Sequence, residues 1–131
     1  MSNNEVIKAE KNILGKAVMR ELKAYKTEIQ SRINDAAQKN AKKLQLKLRE
    51  TSPEGKRSRY KKSWQVQKKS NRTYRVYNET DWQLTHLLEE GHYIHGGTYF
   101  VQPIPHIAPA RDEVEKNFFE DVEEAVKKAG R

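Results

Sequence analysis

The chain has 131 residues, 35% of them hydrophobic and 34% charged, with a formal net charge of +8. That length supports one modest core, and so polar a composition argues against a compact, apolar-cored enzyme and assigns much of the chain to surfaces or extended helices. The absence of cysteine excludes disulfides, thiolate metal sites and cysteine nucleophiles. No N-terminal stretch has the apolar region of a signal peptide, and no run approaches the roughly 20 apolar residues that span a bilayer. A soluble protein made in the cytoplasm, without a membrane partner, is expected.

The total charge conceals a division. Residues 1–72 hold 20 Lys/Arg and 7 Asp/Glu, giving +13, whereas residues 73–131 hold 6 and 11, giving −5. Held apart by a fold, the two parts offer complementary surfaces to neighbouring subunits. Solvated helices carrying ordinary charge are the plainer explanation.

The first segment, residues 1–50, is proline-free from about Asn4 to Glu50 and has one glycine there, Gly15. Val18, Leu22, Tyr25, Ile29, Ile33, Ala37, Ala41, Leu44 and Leu48 recur every three or four residues, which predicts an amphipathic helix. From Val18 to Leu48 alone it is roughly 45 Å long, more than a small domain needs to cover its own core, so part of the stripe is expected to pack on a neighbouring subunit. Val6, Ile7, Ile13 and Leu14 fit an extension or a separate short helix, with Gly15 the natural place for a bend.

Residues 51–62 form a basic loop. Thr51-Ser52-Pro53-Glu54-Gly55 ends the helix, and Lys56, Arg57, Arg59, Lys61 and Lys62 follow with Tyr60 among them. Residues 63–131 carry the remaining elements. Alternation places Trp64 and Val66 on one face and, after Ser70-Asn71, Tyr74, Val76 and Asn78 on one face, which predicts a β-hairpin. Thr80 or Asp81 is the expected cap of a short helix over residues 82–90, with Leu84, Leu87 and Leu88 on its buried side and Gly91 ending it. A glycine-containing loop over residues 92–97 leads to a third strand at residues 98–101. Pro103 and Pro105 stiffen the next connection, and a last helix is expected to start near Pro109. Asp112 and Glu113 would lie near its positive end, Lys127 and Lys128 near its negative end, and Val114, Phe118, Val122 and Val126 would face the core. The expectation is a single α+β domain: a long N-terminal helix, a small antiparallel sheet of hairpin plus third strand, a short middle helix and a C-terminal helix.

Chemistry-bearing patterns are few. His92 and His95 are three apart, with His86 before them and His106 after. They fall on a glycine-rich loop with no helix to hold both imidazoles on one face, so hydrogen bonding and loop packing are expected rather than a metal site. His86 is expected to be a partly buried structural residue beside Trp82 and Leu87. Glu89 and Glu90 are adjacent and point about 100° apart on a helix, which does not suit paired-carboxylate catalysis. There is no nucleophile elbow and no Gly-rich phosphate loop. No catalytic residue, cofactor or metal is expected. Lys56, Arg57, Arg59, Lys61 and Lys62 form a candidate surface for an acidic partner or for sequence-independent contact with phosphates, with Tyr60 available to stack on a single strand.

Three segments carry a resemblance to a known family. They are Thr51-Ser52-Pro53 with Gly55-Lys56 and Tyr60-Lys61-Lys62-Ser63-Trp64; Val76-Tyr77-Asn78 with Leu84-Thr85-His86-Leu87-Leu88-Glu89-Glu90-Gly91-His92; and Pro105-His106-Ile107-Ala108-Pro109-Ala110. In this order, over about eighty residues, they resemble the head-tail joining or tail-completion proteins of siphophages, also described as minor tail components. Arg57 to Arg59 depart from the family's shorter spacing and leave a longer basic loop.

The resemblance implies structural duties for Trp64, His86, Glu90, Gly91, His92, Pro105, His106 and Pro109. It implies a non-enzymatic α+β subunit of the virion neck or tail, present as a ring or in several copies, with a hexamer among the options. The implied partners are a tail-tube or tail-terminator protein on one side and a head-completion or adaptor protein on the other, with channel DNA nearby.

Overall fold

The structure, a computed structural model, describes residues 3–54, 58–70 and 73–129, with the side chains of the first helix described from residue 13. Its elements are α1 (Asn3–Thr51), α2 (Arg59–Lys62), β1 (Trp64–Lys68), β2 (Tyr74–Asn78), α3 (Leu84–Glu90), β3 (His92–Ile94), β4 (Tyr99–Val101) and α4 (Ile107–Lys128). The α+β class and the order of the expected elements agree with the sequence reading, while α2 and β3 are short elements in stretches expected as loop.

α1 is one unbroken helix of 49 residues, roughly 73 Å long at 1.5 Å per residue. Gly15 introduces no break: a methyl group there would meet nothing within 4 Å, and an interior glycine costs about 1 kcal/mol without ending a helix. Burial changes sharply along this rod. Residues 13–27 are all exposed, residues 28–30 and 32–34 are half-buried, and Ala36, Ala37, Asn40, Ala41, Gln45 and Leu48 are buried.

α4 runs antiparallel along the buried half. Lys47 pairs with Glu113 at 3.1 Å and Lys39 with Asp121 at 3.8 Å, while Asn40 Nδ2 donates to Asp121 Oδ2 at 2.8 Å. Small residues make the close approach possible: Ala36, Ala37 and Ala41 on α1, and Ala110, Ala125 and Ala129 at the other side, are all buried.

The expected core stripe of α4 holds only in part. Val114 is buried, Phe118 and Val122 are half-buried and Val126 is exposed. A strict four-residue step rotates about 40° per turn relative to the helix, so the stripe leaves the packed face, which Ala110, Val114 and Ala125 follow instead.

The hairpin forms as expected, with Trp64 opposite Asn78, Val66 opposite Val76 and Lys68 opposite Tyr74. The third strand does not join it. β4 pairs instead with β3, His92 opposite Val101 and Ile94 opposite Tyr99, making a second two-stranded sheet where a loop was expected. Gly91 permits this change of direction: its φ is +76°, and a Cβ would lie 2.6 Å from the carbonyl oxygen of Val101.

α3 begins at Leu84, later than expected, and has no side-chain cap. Asp81 is engaged elsewhere, and only its carbonyl contributes, accepting from the Leu84 amide at 2.9 Å. Leu87 and Leu88 are half-buried, whereas Leu84 and His86 are exposed, so His86 has no buried structural role. The shorter helix presents only one turn to the body.

The core itself joins Leu48, Tyr60, Trp64 and Ala110, with Leu44, Val76, Leu88 and Ile107 packed around them. Thus α1, α2, β1 and α4 meet at one point, and the second hairpin hangs from it.

Candidate functional site: an aromatic junction and a bare helical arm

Two regions stand out, one closed and one open. The closed region surrounds Tyr60. One turn of helix, α2, carries Arg59 outward and Tyr60 inward. The phenol is buried and donates to His106 Nε2 at 2.6 Å, with the rings at 78° and their centroids 5.5 Å apart. Trp64 completes the aromatic cluster edge-on, 5.7 Å from Tyr60 and 6.4 Å from His106.

Each polar atom of this cluster has a named partner. Trp64 Nε1 donates to Ser52 Oγ at 2.7 Å. Its carbonyl accepts from Gln45 and Arg49, which fixes the start of β1 on the end of α1. His106, 2% exposed, has Nδ1 2.8 Å from both the Ile104 carbonyl and Glu89 Oε1. Neither of those oxygens can donate, so Nδ1 carries the hydrogen, and in the neutral ring Nε2 accepts from Tyr60.

Glu89 closes the network. Its carboxylate accepts the amides of His106 at 2.5 Å, Ile107 at 2.7 Å and Ala108 at 3.1 Å. It therefore caps the positive end of α4 from a different helix. α4 starts two residues before Pro109 and has no acid in its first turn, so Asp112 and Glu113 lie too far along to serve as expected. Burial alone would raise the Glu89 pKa, but the three amides outweigh it and hold the carboxyl below its ordinary value. Burial, helped by the charges of Glu89 and Asp81, pushes the Tyr60 phenol upward, consistent with its role as a donor.

A second buried polar group fixes the turn after β2. Asn78, 2% exposed, donates to the Tyr60 carbonyl at 2.7 Å and accepts the Asp81 amide at 2.9 Å. Arg59 grips Asp81 through two nitrogens, at 2.9 and 2.5 Å. Those guanidinium hydrogen bonds, with help from Thr80 and the Arg59 charge, hold Asp81 below its usual range despite its burial.

The candidate basic residues are therefore divided. Lys56 and Arg57 lie outside the described residues. Arg59 is committed to Asp81, and Tyr60 is a core residue rather than a stacking platform for bases. Lys61 is half-buried and Lys62 exposed, with no ion pair among the described residues. Among the other motif residues, Trp64 and His106 come together. Glu90, Pro105 and Pro109 are exposed, Gly91 and His92 are half-buried, and His92 Nδ1 has no partner. Among the described residues, no group of three or more histidines or carboxylates is placed to hold a metal ion.

The open region is the arm, residues 13–27 of α1, where Ile13, Leu14, Val18, Met19, Leu22 and Tyr25 are all exposed. Further apolar surface lies on the body. An apolar groove of about 350 Å³ lies between α1, β2 and α4, lined by Ala37, Leu44, Tyr74, Val76, Val114 and Phe118 among others. Beside it, Phe119 is 68% exposed. No described helix is long and apolar enough to cross a membrane. The arm's apolar residues therefore sit on a mixed, charged helix.

Residues 16–91, more than half of the chain, match the family described as "Bacteriophage HK97-gp10, putative tail-component". The chain belongs to this HK97-gp10-like family of phage tail components. No match was found among curated proteins or among solved structures. The matched stretch begins in the arm and ends at Gly91, so the family's pattern takes in the arm, Tyr60, Trp64, Asn78, Asp81 and Glu89. As a tail component the protein belongs to the virion and meets other virion proteins there. The closed junction suits such a part, because its charges and hydrogen bonds are spent on one another and set the angle between α1, the hairpin and α4.

Proposed function

We propose that this tail component is a head-tail joining or tail-completion subunit, a non-enzymatic part of the neck. Several copies assemble, as a ring or around the tail end, with tail-tube or terminator subunits on one side and head-completion proteins on the other. The observation that carries the reading is the arm. A helix that leaves its own body for residues 13–27 with six large apolar side chains exposed is built to be covered by another subunit. The opposite charges of the chain's two parts supply the unlike surfaces that a ring of identical copies requires. In this reading the chain is one domain, and Trp64, Gly91, Pro105, His106 and Pro109 serve it structurally. Phage lacking the protein should make full heads and finished tails that fail to join. Normally joined particles would overturn the assignment.

A second reading keeps a contact with channel DNA. Lys61 and Lys62, unpaired among the described residues, favour it together with the neighbouring Lys56 and Arg57. It predicts binding to duplex DNA that weakens steeply with salt and with replacement of these lysines. Absence of binding at low salt would remove it.

A further inference from the structure

We infer that the arm of one copy seats on the outer face of α4 of the next copy. This rests on the multicopy assembly proposed above and gives it a specific contact. On the arm, Val18, Leu22 and Tyr25 are exposed at steps of four and three, the seam of a helix-to-helix contact. On α4, Phe119 and Val126 are exposed and Val122 half-buried, at steps of three and four. Each stripe covers two helical turns, so the two match in length. The α4 stripe also borders the apolar groove through Phe118 and Glu115, which extends the apolar seat.

Charge chooses the pairing. Residues 13–27 carry Lys16, Arg20, Lys23 and Lys26 against the single acid Glu21. The outer side of α4 carries Glu115, Glu120 and Glu123 against Lys116 and Lys127, all exposed and without an ion pair among the described residues, which leaves it with an excess of acid. Arm against arm would oppose cations, and α4 against α4 would oppose carboxylates. Arm against α4 joins opposite signs. One chain cannot satisfy itself: Asp121 is level with Asn40, and Leu22 lies 18 residues further along the same rod, roughly 27 Å away. The contact is head to tail and propagates, closing into a ring where the rotation allows.

The cysteine-free chain makes the test direct. Chains carrying Leu22→Cys or Phe119→Cys are supplied separately, or together, to phage lacking the protein, and the particles are treated with a short bismaleimide. The expected result is a band of twice the chain mass only when both variants are present. A double variant should give a ladder whose last rung is the copy number. Replacing Lys23 and Lys26 by Glu should reduce the mixed band several-fold, with recovery when Glu115 and Glu123 become Lys. Self-linking of Leu22→Cys alone would overturn the inference in favour of paired arms. Particles that contain both variants and yield no mixed band would also overturn it, while the role in joining, read from the particles themselves, would stand.

Discussion

The two halves of α1 have the same apolar periodicity and opposite fates. Between Ala36 and Leu48 its packed face is buried under α4 and the hairpin. Between residues 13 and 27 the same kind of face is bare. The difference lies in the partner rather than in the helix. α4 has 22 residues, and lying antiparallel from Glu113 opposite Lys47 it ends well before the arm begins. A periodic stripe records that a helix has an apolar side, and only the lengths of the other elements decide whether the cover comes from the same chain.

Substitutions should separate the halves in order of effect. Leu48→Ala empties a site 2% exposed and should cost about 2–5 kcal/mol, measurable by urea unfolding. Glu89→Gln removes the charge that caps α4 and should cost about 2 kcal/mol. It should also change the pH profile. The Glu89 pKa is lowered on folding from 4.5, so its stabilisation is complete above that value and is lost as pH falls through the lower folded pKa. The native chain should therefore lose stability more steeply than the variant in acid. Tyr60→Phe leaves His106 Nε2 without its donor and should cost about 1 kcal/mol. Leu22→Ala, in the arm, should change monomer stability by less than about 0.5 kcal/mol while impairing assembly. Comparable losses from Leu22→Ala and Leu48→Ala in the monomer would break the comparison.

Much of the fold was legible because its signals are local. The period of α1, the alternation of Trp64 and Val66, the helix stop at Gly91 and the start of α4 beside Pro109 are all read within a few residues. What escaped the sequence is non-local. Glu89 meets amides 17 to 19 residues away, and beside Glu90 nothing marks it as the cap. Tyr60 stands among five basic residues, where its neighbours suggest a solvent-facing loop, yet its partner His106 is 46 residues distant. The pairing of β4 with β3 depends on the turn at residues 95–97, where Gly96 and Gly97 take positive φ and which read as loop composition alone. Asn78 was the exception that could have been found, since an asparagine oxygen accepting an amide three residues on is the spacing of a side-chain cap. On α4 the strict four-residue stripe drifts around the helix, which leaves Val126 exposed on the same side as Phe119, two turns away.

The separation of a self-sufficient body from an arm meant for another copy is tested most directly by a chain that begins at Glu28, supplied to phage lacking the protein. This chain should unfold at the same temperature as the full-length monomer and fail to restore joined particles. A truncated chain that restores joining in full would show that the arm is not needed for assembly.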